Sequence, residues 1–293
     1  MEPIEFIERR TGSRMKESVL GDRALRFAYE TMLGRTLWPL LFGSRFCSAV
    51  LGLKYGSRFS RKAIAKLAST PGCRAEEAEK PLSAYRTFNE FFTRRLRPGL
   101  RPVGEGLVSP ADGRLILHLD ADASAPFPLK GATRSLAEVF SPSGAPDIAG
   151  GRCDIAVIRL APVDYHRFHF PLDCKTPSRP VKLRGRYDSV NPVALLKRPD
   201  IYAMNERMIV RCETPSFPFW MVDVGAFGVG TIVQTYEGES HSKGDEKGYF
   251  KFGGSTVIMV FPAGKVAFDA DLVANSASGC ETRVFCMEKI GSV

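Results

Sequence analysis

Histidine is scarce in this 293-residue chain: there are four, so chemistry that needs an imidazole has few places to reside. Cysteine is present but unorganised. The seven, at 47, 73, 153, 174, 212, 280 and 286, include no CxxC pair and no histidine at ligand spacing. An odd number at irregular spacing argues against a disulfide framework and a structural zinc site, and for a reducing compartment. No run reaches the roughly 18 uncharged apolar residues of a spanning helix. The nearest candidates, 37–43 and 46–53, are short and parted by Arg45. The first twelve residues lack the positive-then-apolar order of a secretory signal. No G-x-S-x-G elbow, βαβ rhythm or internal repeat is present.

What is there belongs to the globular class, with 44% hydrophobic and 25% charged residues. The formal charge of +9 implies an anionic partner, either nucleic acid or a negatively charged membrane surface. Nine Lys/Arg against two Asp/Glu give residues 20–66 a net +7, so most of the imbalance sits in one segment.

That segment reads as helical over 22–68. Leu25, Tyr29, Met32, Leu33, Leu37, Leu40, Leu41, Val50 and Leu51 recur at three- and four-residue spacing with cations between them. Pro39 and Gly43 divide it, and Thr70-Pro71-Gly72 stops it. A second amphipathic helix is expected over 85–96, with Thr87 and Glu90 as a capping box. From about residue 101 short β-rich runs appear at 114–119, 153–160, 208–212, 219–224, 230–235, 256–261 and 265–268. The expected architecture is α+β: a basic amphipathic helical region, 1–100, then a mainly antiparallel β sandwich or barrel-like body, 101–293.

Four segments could carry chemistry, and each has an ordinary reading beside it. His166 and His169 lie three apart in Tyr165-His166-Arg167-Phe168-His169-Phe170-Pro171; either alone is a structural hydrogen-bonder. His118 and His241 keep that structural role. Asp112 sits in Ser109-Pro110-Ala111-Asp112-Gly113, a turn by composition. Residues 224–230 hold three glycines after a strand, but no helix follows to bind a phosphate, so a tight turn or bulge is the plain reading. Gly253-Gly254-Ser255-Thr256 opens an apolar strand. Composition reads it as a hairpin turn, although glycines also permit strain at a bond that must react.

Taken in order, these segments and Thr87–Gly99 resemble the pyruvoyl-dependent phosphatidylserine decarboxylase family over more than half the chain. Many bacterial members carry Leu-Gly-Ser-Thr where this chain has Gly253-Gly254-Ser255-Thr256, and the scissile Gly-Ser is kept. The resemblance implies a zymogen that cuts itself between Gly254 and Ser255, giving a β chain, 1–254, and an α chain, 255–293. Ser255 would be the nucleophile, His169 its base and Asp112 the orienting carboxylate. Ser255 would then become a covalent pyruvoyl cofactor that forms a Schiff base with the lipid amine and takes up the electrons left by carbon dioxide. His166 would supply the proton in turnover. No metal is implied.

The partners that follow are a phospholipid substrate, an anionic membrane surface and the association of the two product chains, with a homodimer left open. Nucleic acid is not expected, because the cationic segment is apolar and carries no recognition motif. A peripheral enzyme on the cytoplasmic face of the cell membrane is the expected setting. Three other readings remain: the same chemistry on an archaetidylserine-type lipid, a non-catalytic β-rich binding module, or an ordinary serine hydrolase built on Asp112, His169 and Ser255.

Overall fold

The run Val257-Ile258-Met259-Val260-Phe261 is apolar at every position, the signature of a strand covered on both faces. In the computed structural model it forms the centre of the strand Gly253–Pro262, and all five side chains are fully buried. The structure describes residues 5–17, 27, 31–34, 45–123, 127–129, 132–134, 136–141, 151–190, 194–195, 201–228 and 231–293.

The Gly253–Pro262 strand lies between Pro218–Gly228 and Arg152–Leu160, antiparallel to both. Around these three an eleven-stranded sheet extends, its path running 240–241, 174–175, 207–213, 218–228, 253–262, 152–160, 113–122, 281–284, 5–8 and 13–16. Val181–Leu183 pairs with the 207–213 strand off this path. Because the path is open, no barrel closes among the described residues. The coarse expectation of an α+β chain holds, with one large sheet and few helices.

Each face of the sheet has its own core. Ile258 and Val260 join Ile155, Val157, Trp220 and Val222 beneath Leu136, Val139 and Phe140 of the helix Leu136–Phe140. On the other face Val257, Met259 and Phe261 join Leu115, Ile158 and Met221, covered by Phe168, Phe170 and Phe250. Phe168 and Phe250 belong to a three-stranded sheet of Arg167–His169, Glu246–Phe250 and Ile232–Gln234. Burying the five central side chains stabilises the strand by roughly 10 kcal/mol before chain entropy is counted.

A third core holds the helical part. Ile64, Leu67, Tyr85, Phe88, Phe91 and Phe92 pack with Ala161 and Val163, and Tyr55 and Phe252 lie against them. The helices are Arg45–Gly56, Lys62–Ala68 and Phe88–Phe92, with a 3-10 turn at Arg58–Arg61. Residues 35–44, with Trp38 and Pro39, lie outside the described residues. The helix expected over 85–96 is shorter, Phe88–Phe92, since Thr87 is its extended N-cap and Thr93 ends the run. Its cap is as read: Thr87 Oγ1 accepts the Glu90 N–H at 3.1 Å. Glu90 reaches back to the Arg86 N–H at 2.8 Å, one residue earlier than the usual box.

The start of the chain was not legible as strand. Glu5–Glu8 and Ser13–Lys16 form a hairpin at the sheet edge, and Phe6–Glu8 pair in parallel with Glu281–Arg283. Arg9 then bonds Asp271 at 2.7 Å, Asp269 at 2.7 Å and the Lys289 carbonyl at 2.5 Å.

Candidate active site

Ser255 stands near the start of the central strand, opposite Gly225 on one neighbour and Leu160 on the other. Its hydroxyl is fully buried and has no hydrogen-bond partner. An unsatisfied buried hydroxyl costs about 1–3 kcal/mol, so such a group calls for an explanation, and reactivity is one. The backbone around it is irregular in two ways. Gly253 has φ 155°, a conformation that favours glycine. Across the ladder the register slips between Gly225 and Gly228, so a bulge faces the Gly254–Ser255 bond. Bulges of this kind recur beside active sites because they interrupt pairing.

The two histidines differ in what holds them. His166 is fully buried, and its Nδ1–H donates to the Asp164 carbonyl at 2.9 Å. That leaves Nε2 as a lone-pair acceptor with no partner. The Phe92 ring lies 3.9 Å from the imidazole, and the Phe250 N–H donates to the His166 carbonyl at 2.9 Å. His166 is thus fixed beside the segment that leads into Gly254–Ser255. Burial pushes its pKa down to about 3, so it is neutral near pH 7.

His169 ends the strand Arg167–His169 and is satisfied at both nitrogens. Nδ1–H donates to the Gly244 carbonyl at 3.0 Å, and the Tyr165 hydroxyl meets Nε2 at 3.2 Å. Burial lowers its pKa as well. With Arg97, Arg101, Tyr165, Glu246 and Met287 it lines a cavity of about 270 Å³.

Asp112 reaches this neighbourhood through the 109–113 turn, since the Pro110 carbonyl accepts the His169 N–H at 2.9 Å. The glycine that closes the turn is needed for close approach: a Cβ on Gly113 would lie 2.7 Å from the Arg159 carbonyl oxygen. The Asp112 carboxylate is buried, clamped by both Nη atoms of Arg101, and it accepts the Cys286 N–H at 2.8 Å. Arg101 also bonds Glu77. Among the described residues no hydrogen bond joins Asp112 to His169, or His169 to Ser255.

The structure therefore brings Asp112 and His169 to one locality, and His166 and Ser255 to the buried interior, each of the latter with an unused polar atom. It does not join the expected three residues by hydrogen bonds. Sequence reading passed over Arg101, Tyr165 and Asp164. Asp164 shapes the 161–166 loop, accepting from Arg114 and from the Ala161 N–H at 2.7 Å while its carbonyl holds His166. Arg101 had one signal, its place in a basic run after Leu96, but nothing local names its partners. His241 has a structural setting, stacked 4.2 Å from the Phe170 ring and bonded to Thr176 at 2.8 Å. Among the described residues no group of three His, Cys, Asp or Glu side chains is placed to hold a metal ion.

Ser255 is thus a buried serine on a central strand, entered through two glycines, in a body that also holds two histidines kept neutral by burial. The family model described as phosphatidylserine decarboxylase matches residues 88–292. Curated relatives named phosphatidylserine decarboxylase proenzyme agree over almost the whole chain. One from Ruminiclostridium cellulolyticum is 39% identical over 99% of this chain and 97% of its own. Another from Chlamydia felis is 36% identical over 99% and 98%, and one from Clostridium novyi is 39% identical over 94% and 95%. The chain belongs to the phosphatidylserine decarboxylase family.

Proposed function

We propose that the chain is a proenzyme that cleaves itself between Gly254 and Ser255 and then decarboxylates phosphatidylserine to phosphatidylethanolamine. The observation that carries this reading is the orphaned, fully buried Ser255 hydroxyl on the central strand, preceded by the φ 155° glycine. In maturation the hydroxyl attacks the Gly254 carbonyl carbon while its proton passes to a histidine base, His169, with Asp112 stabilising the cation formed. The amide becomes an ester. Loss of the Ser255 Cα proton expels the Gly254 carboxylate, and hydrolysis of the resulting enamine releases ammonia and leaves a pyruvoyl group at residue 255.

The site fits such a group. Ser255 faces Gly225, whose lack of a side chain leaves room, and the apolar core excludes water. A pyruvoyl group supplies an electrophilic carbonyl and an electron sink for departing carbon dioxide. The chain's own contribution is proton handling. A substrate ammonium must lose a proton before its nitrogen can bond carbon. His166 Nε2, a free acceptor, is the group assigned to take that proton and return it to carbon after decarboxylation; because burial makes it a weak base, the role requires that bound substrate raise its proton affinity. Chains 1–254 and 255–293 stay together through the central strand.

A lipid substrate requires contact with a bilayer. Among the described residues no helix is long and apolar enough to cross one. The basic 22–68 segment is proposed as a peripheral attachment to an anionic surface, on the cytoplasmic face. Intact mass tests the central claim: two pieces split after Gly254, the smaller blocked at its N-terminus by pyruvoyl. Ser255→Ala and His169→Ala should remain single chains, whereas His166→Ala should cleave yet turn over poorly. An active, uncleaved wild-type chain would sink the reading.

A further inference from the structure

The helical part has an inner and an outer face, and the two differ sharply. Inward, Tyr55 lies 4.4 Å from Phe252 and 5.0 Å from Phe88, closing the aromatic layer that reaches His166 through Phe92. Outward, Phe59 is 93% exposed and Leu53 77% exposed. Large apolar side chains presented this fully to water mark a contact surface when cations surround them.

The cations are arranged, not scattered. The 3-10 turn Arg58–Arg61 puts Arg58 and Arg61 three residues apart, with Phe59 between them in sequence. Two bonds tie this turn to the following segment: Arg61 Nη2 donates to the Ser83 carbonyl at 2.9 Å, and the Phe88 N–H donates to Ser60 Oγ at 2.9 Å. Arg86 is thereby brought alongside, and the three arginines line a shallow cavity of about 390 Å³. Among the described residues none of the three makes an ion pair with a carboxylate. Three guanidinium groups held together with no carboxylate ion-paired to them are a receptor for phosphate oxygens, which they bind through paired N–H donors.

We propose that Arg58, Arg61 and Arg86 form a binding site for phosphate groups of anionic membrane lipids, with Phe59 and Leu53 entering the bilayer beside it. The proposal deepens the peripheral-membrane reading above and rests on it. It orients the molecule: the layer of Tyr55, Phe88, Phe92 and Phe252 separates this face from the Ser255 strand.

Vesicle sedimentation tests it, using the full-length protein and vesicles of mixed phosphatidylglycerol and phosphatidylcholine, with phosphatidylcholine alone as control. Arg58→Ala/Arg61→Ala/Arg86→Ala should weaken partitioning onto mixed vesicles on the order of a hundredfold, from roughly tenfold or less per cation. Lys175→Ala/Arg179→Ala/Lys265→Ala removes the same charge from the β body and should change it only a few-fold. Phe59→Ser should weaken it on the order of tenfold. Failure of the wild-type protein to bind mixed vesicles overturns the peripheral-membrane reading itself. Should the wild type bind, but the first triple variant bind as well, or both triple variants lose equally, the arginine site is refuted and general charge attraction explains the contact.

Discussion

Burying His166 as a neutral ring should make the protein acid-labile in a measurable way. The folded pKa is about 3, against about 6.5 for a histidine in an unfolded chain. Between these values the unfolded state binds a proton that the folded state refuses, so stability falls as pH falls. The slope approaches about 1.4 kcal/mol per pH unit, which amounts to about 2 kcal/mol between pH 7 and pH 5. Asp164, whose carboxyl burial raises, works in the opposite sense. His169, lowered by burial, adds to the loss. Both cancel in a comparison of two proteins that share them. The assay is urea denaturation of Ser255→Ala, which keeps one continuous chain and a reversible transition, with and without His166→Leu. The leucine variant loses the bond to the Asp164 carbonyl at every pH, so its absolute stability is not the readout. The readout is the difference between pH 7 and pH 5, which should be smaller by about 2 kcal/mol in His166→Leu. Equal losses in the two proteins would show that His166 is solvated or charged in the folded chain, and its assignment as a free acceptor would fall with it.

Other outcomes follow from the same packing. Lys247 and Asp223 form an ion pair with no exposure on either side chain, so Lys247→Met should cost about 3–5 kcal/mol by stranding a carboxylate. Asp223→Leu/Lys247→Met should recover most of that loss in denaturant melts; a double variant no better than the single one would refute the pairing. Arg101→Met removes the clamp on Asp112 and Glu77 and should slow self-cleavage at least about tenfold, the effect of about 1.4 kcal/mol on a barrier. A time course on denaturing gels checks it, and an unchanged half-time would exclude Asp112 from maturation. Thr87→Ala should lower stability by about 1 kcal/mol through loss of the helix cap that presents Phe88 and Phe92, read from chemical denaturation.

The central strands were legible because 153–160, 219–224 and 256–261 are apolar at nearly every position, a pattern that survives without knowledge of partners. The Thr87 cap was legible for a similar reason, since its bond closes within three residues. Long-range features were not. Glu5–Glu8 reads as a charged start and becomes a strand only because Glu281–Arg283 offers an edge. The same holds for the site. Ser255, Asp112 and His169 could be named from motifs in register, but the Arg101 clamp, the Cys286 N–H on Asp112 and the Tyr165 hydroxyl on His169 come from tertiary contacts no spacing encodes. The φ of Gly253 was anticipated only as a tolerance for strain, whereas the bulge opposite Gly254 falls in 224–230, which reads from sequence as a tight turn or bulge.

The parallel pairing of residues 6–8 with 281–283 also sets an order of events during synthesis. A strand made early waits for a partner made much later in the chain. Until then its hairpin edge is unsatisfied, and Arg9 lacks Asp269 and Asp271. The sheet edge is completed only once residues 281–284 are available, so a chain cut short of them keeps an open edge available to chaperones and proteases.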